Sequence, residues 1–104
     1  LVSVVGLTHV AVVKKEKKAD YEALNSPLMR IPKIDIASVR DLIDLGFSYP
    51  HELAGRSPEV LIEELKKRKA DVPTARLHYF RMAIYYAETP EPDAGKMNPW
   101  AWQD

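Results

Sequence analysis

A chain of 104 residues has room for one domain that buries its own core without cross-links. Fifteen basic and fifteen acidic residues give a formal charge of zero, which excludes a strong overall field toward nucleic acid or acidic lipid. The lack of cysteine excludes a disulfide framework, a thiolate zinc site and a cysteine nucleophile, and suits a cytoplasmic setting.

The opening run "LVSVVGLTHVAVV" is apolar but shorter than the ~18 residues needed to span a bilayer. Its valines predict a β-like segment, or a hairpin bent at Gly6, that is buried or pairs edge to edge with a second chain. "KKEKKADYEALN" (14–25) alternates charges around Ala19, Tyr21 and Leu24, the pattern of a solvated helix or a linker. Residues 1–25 therefore form an N-terminal extension, and 26–104 the domain proper.

Ser26-Pro27 is a helix start, with serine as N-cap and proline at the first helical position. Pro32 limits that helix to about a turn, because it disfavours helix at Ile31. "KID" makes a hairpin. Helix resumes in "ASVRDLIDL", where Val39, Leu42 and Ile43 share one face, and Gly46 ends it. Ser48 is expected to cap a short helix over "YPHELA", closed by Gly55. Ser57-Pro58 repeats the start signal before "EVLIEELKKRK", which buries Leu61, Ile62 and Leu65 and gathers its basic residues at the C-terminal end.

"DVPTARLHYFRMAIYYAE" is the longest periodic segment. Leu77, Phe80, Ile84 and Ala87 make one stripe, flanked by Tyr79, Met82 and Tyr86, and so wide an apolar arc predicts burial on more than one side. Pro90 and Pro92 stop it. The irregular tail "DAGKMNPWAWQD" is expected to fold back and tuck Trp100 and Trp102 between helices.

The order and spacing of "IPKIDIASVRDLIDLGFSYPHELAGRSPEVLIEEL", "RLHYFRMAIYYAE" and "PWAWQD" resemble the small bacterial helix-hairpin-helix proteins of the Cdd1-like, or pathogenicity locus, family. The resemblance covers about residues 26–104. It implies an all-α, helix-hairpin-helix (SAM-like) domain of four or five short helices. It also implies a hairpin of the kind that grips DNA in repair and replication proteins, where glycines admit the backbone and amides at the second helix donate to a phosphate. Lys33 and Asp35 stand in the two glycine positions. A carboxylate at Asp35 would repel an approaching phosphate, and Lys33 would partly offset it.

Charge is unevenly spread. Lys33, Arg40 and Arg56 face Asp35, Asp41, Asp44, Glu52 and Glu59 within residues 31–60, a net −2. Lys66, Lys67, Arg68, Lys69, Arg76 and Arg81 face Glu63, Glu64 and Asp71 within 63–81, a net +3. The basic surface is thus expected after the hairpin, as a phosphate-tracking patch or simply a solvated helix end. Tyr79, Tyr85 and Tyr86 suit core packing better than a base-stacking platform.

No Gly-rich phosphate loop, nucleophile elbow or paired-carboxylate site appears, so neither an enzyme nor a cofactor nor a small-molecule substrate is expected. His9, His51 and His78 share no ligand spacing, and no metal site is expected. Two readings stay open. One is a non-enzymatic module with weak, sequence-independent DNA binding carried by Lys33, Ser38, Arg40, Lys66, Lys67 and Lys69. The other is a protein-interaction or homodimerisation domain that lost DNA binding with its hairpin glycines.

Overall fold

Short-range signals in the chain decide where each helix begins and ends, and the computed structural model, which describes residues 21–103, follows most of them. Among the described residues there are four α-helical segments and no strand. They are α1 (the helical residues 21–24), α2 (Ile36–Asp44), α3 (Pro58–Arg68) and α4 (Arg76–Glu88). Short 3-10 turns occupy Pro27–Arg30, Pro50–Leu53, Ala94–Lys96 and Pro99–Trp102. The β-like run expected over 1–13 and the charged stretch up to residue 20 lie outside the described residues.

Both serine–proline starts act as read. Ser26 Oγ accepts from the Leu28 amide at 3.1 Å, and Ser57 Oγ from the Val60 amide at 3.4 Å, each with proline at the first helical position. The first turn stops at Arg30, since Ile31 is extended ahead of Pro32. Gly46 ends α2 at φ +98°, where the Phe47 amide donates to the Leu42 carbonyl and the Gly46 amide to that of Ile43. This is a Schellman closure, and it needs a residue free to adopt positive φ.

Ser48 does not cap the next turn. Glu52 reaches back instead, and Glu52 Oε1 accepts from the Ser48 and Tyr49 amides at 2.7 Å each. A carboxylate satisfies two otherwise orphaned donors at once, which one hydroxyl does less well.

The core gathers on α4, which packs against the Pro50–Leu53 turn, the Pro99–Trp102 turn and α3, and more lightly against α2. Phe80, Met82, Ala83 and Ile84 are all buried there, so α4 is covered on more than one side. Around them lie Leu28, Ile31, Val39, Leu42, Leu53, Leu61, Leu65 and Met97. Ile43 and Ile62 are only partly covered. The tryptophans part company: Trp102 packs on the core, while Trp100 stays 60% exposed.

Candidate functional site

The turn between the first 3-10 segment and α2 is anchored by two isoleucines. Ile31 and Ile34 are both buried, and the Ile34 amide donates to the Ile31 carbonyl at 3.3 Å. Pro32 and Lys33 project between them. Lys33 has φ +62°, and among the described residues it is the one non-glycine residue with positive φ. Proline followed by a positive-φ residue across such a bond is the type II arrangement, which favours glycine at its third position. The backbone thus keeps the glycine geometry with a lysine in place.

Asp35 supplies the helix start. Its carboxylate accepts from the Ser38 amide at 2.8 Å and caps α2. An acceptor with negative charge at a helix N-terminus suits both the orphaned amides and the dipole. The anion at this N-terminus is therefore the protein's own.

Behind the cap lies a polar cluster. Arg76, at the start of α4, is buried, and so are Ser38 and Asp41 of α2. Arg76 Nε donates to Asp41 Oδ2 at 2.7 Å and its Nη1 to Ser38 Oγ at 2.6 Å; Nη1 also stands 3.5 Å from Asp35 Oδ1. Lys69, the C-cap of α3, closes the other side through a 2.7 Å bond from Nζ to Asp41 Oδ1. Two cations thus meet two carboxylates, and each Asp41 oxygen has a charged donor. That pairing offsets much of the cost of burying a carboxyl group.

The residues singled out from the sequence are divided by this arrangement. Lys33 is exposed at the turn. Ser38 faces inward, with its hydroxyl held by Arg76 and its amide by Asp35, so it presents neither group to solvent. Lys69 is partly exposed but tied to Asp41. Arg40 lies on the outer face of α2, lining a small crevice with Glu22 and Asp44. Lys66 and Lys67 are exposed in the last turn of α3, next to Arg68. Arg76 leaves the expected basic patch altogether. Arg81 is engaged with the tail, its Nη1 donating to the Trp102 carbonyl at 2.8 Å.

Sequence reasoning missed the burial and pairing of Asp41 with Arg76, which it had assigned to the basic surface. A signal existed: Ser38, Asp41 and Leu42 fall at i, i+3 and i+4 with Leu45 at i+7, so polar groups interrupt an apolar face. Arg76 likewise precedes the buried Phe80 by one turn.

The tyrosines of α4 serve packing. Tyr79, Tyr85 and Tyr86 all lie partly buried against the core. The Tyr85 hydroxyl accepts from the Asp93 amide at 3.0 Å, and its ring lies 5.3 Å from that of Trp102. The Trp102 indole donates to the Lys96 carbonyl at 2.8 Å. Among the described residues no three His, Asp or Glu side chains converge as a metal ion would require. None of the described helices is long and apolar enough to cross a membrane.

No curated protein and no solved structure matches the chain. The model of the family described as Cdd1, pathogenicity locus, does match it, over residues 21–104, from α1 through the turn, the clustered charges and the tryptophan tail. The chain belongs to the Cdd1, pathogenicity locus, family.

Proposed function

We propose that this is a non-enzymatic helix-hairpin-helix module, with Ile31–Asp35 as the hairpin, that holds nucleic-acid backbone weakly and without sequence preference. The observation that carries the reading is the turn itself. It keeps the glycine-type backbone at Lys33, φ +62°, while carrying a cation at its tip. The bond from Lys69 to Asp41 also ties the basic end of α3 to α2, the helix that the hairpin opens. Because Asp35 fills the N-terminus of α2, contact falls to side chains, chiefly Lys33, Lys66 and Lys67, and not to amides. Lysine contacts of this kind position a protein on phosphates and read no bases. A cytoplasmic location is part of the proposal.

Fluorescence anisotropy with a short labelled duplex, titrated across salt, tests it. Micromolar binding that weakens steeply with salt is expected, and Lys66→Glu with Lys67→Glu should lower affinity at least ~10-fold at low salt. Unchanged affinity in that double variant would remove α3 from the interface.

The Asp35 cap favours a second reading, a protein-interaction domain whose hairpin has given up phosphate. An Asp35→Gly variant separates the two, since glycine is tolerated as an N-cap at a loss of only a few tenths of a kcal/mol. No binding by the native chain with binding by Asp35→Gly would favour the protein-interaction reading.

A further inference from the structure

Lys33 is strained where glycine would not be, and the strain accompanies a cavity. Pro32, Lys33, Tyr86, Pro92, Ala94 and Met97 line a recess of about 370 Å³ between the hairpin tip and the segment that follows α4. This is near the lower end of the ~300–1,000 Å³ typical of small-ligand sites, the scale of one planar group and not of an extended ligand. Two prolines and a tyrosine are among the side chains that line it. Among the residues lining it, Lys33 alone is charged, and Lys33 is exposed.

We propose that this recess takes the base of an unpaired nucleotide while Lys33 holds the adjacent phosphate. The proposal rests on the backbone-binding reading above and names its substrate class as single-stranded nucleic acid. Three features converge on it. Tyr86 puts an aromatic side chain in the lining, half packed on the core, and stacking on an aromatic ring tolerates any base. The lining offers almost no groups to hydrogen-bond base edges, so the site does not discriminate sequence. Lys33 puts a cation at the rim of an otherwise apolar recess, which matches a nucleotide's own division into apolar face and anion. A residue held in the left-handed region at a ligand-sized recess is the situation in which backbone strain accompanies function. A duplex keeps its bases stacked inside and cannot fill the recess without unpairing.

The test compares three labelled oligonucleotides of equal length at low salt: a single strand, the same strand with abasic sites throughout, and a duplex. The intact single strand should bind at least ~5-fold more tightly than either other probe, the lower end of what one stacked base contributes. Tyr86→Leu keeps the apolar bulk and should erase that preference while leaving duplex affinity in place. Lys33→Gly keeps the turn and should weaken the single strand most. Equal binding of intact and abasic strands, with duplex still bound, overturns the base recess and leaves the backbone reading standing. No binding of any probe overturns both. Binding of a peptide carrying a Phe-Glu pair but of no oligonucleotide, weakened by Tyr86→Leu, would make the recess a peptide site and overturn the nucleotide assignment.

Discussion

At position 33 the side chain and the backbone want different things. A left-handed conformation costs an L-residue roughly 1–2 kcal/mol, and glycine avoids most of it while giving back part in chain entropy. Lys33→Gly is therefore expected to stabilise the fold by about 1 kcal/mol, raising the melting temperature by ~4–8 °C for a domain of this size. Thermal unfolding followed by circular dichroism measures it; a fall in melting temperature would show that the lysine side chain contributes more than its backbone strain costs. The hairpin was legible in the sequence, but the glycine-like backbone at its tip was implied only by the family resemblance, which puts glycine where Lys33 stands at φ +62°. The role of Asp35 was legible only by half. Its charge was evident, but whether it faces an incoming phosphate or caps its own helix depends on the local backbone. The amide of Ser38 settles that at 2.8 Å.

Among elements, α2, α3 and α4 are joined by charge as well as by apolar packing. Asp41, Arg76 and Lys69 come from three different helix regions and meet in one cluster. Removing one partner of a buried pair costs up to about 3–5 kcal/mol when the other charge is left uncompensated, less here because Lys69 still reaches Asp41 and Asp35 lies near Arg76, whereas replacing both with apolar groups is often close to neutral. Asp41→Leu and Arg76→Met should each be strongly destabilising in urea, and the double variant should recover much of the loss. If the two losses simply add, the pair is not coupled and the cluster is incidental. Helix ends in this chain were readable because serine, proline and glycine act on neighbours within four residues. The cluster was not, because its partners are 28 and 35 residues apart and a charged residue on a helix ordinarily faces water. For the same reason the two tryptophans looked alike in sequence. Trp102 gives its indole N–H to the Lys96 carbonyl and packs on the core, whereas Trp100 stays exposed.

For the molecule as a whole, acid should act in part through Glu52. The Ser48 and Tyr49 amides that it accepts from lower its pKa below the ordinary 4.5, with smaller contributions from His51 and Arg56. A carboxylate with a lowered folded pKa adds stability that is fully present above the unfolded value and is lost as pH falls through the folded one. Denaturation midpoints should therefore drop below about pH 4.5, and Glu52→Gln should flatten that drop while lowering stability at neutral pH; an unaltered profile in the variant would assign the acid sensitivity elsewhere. The all-helical architecture of the described residues was legible in the sequence, while the location of α4 at the centre followed from its wide apolar arc only once its neighbours were known. The Asp41–Arg76 contact closes a loop of chain across 35 residues, in a protein without cysteine. A disulfide across such a loop would act chiefly by restricting the unfolded chain. This clasp exists only when the helices are packed, so it leaves the unfolded ensemble unconstrained and can open and reclose with no redox partner.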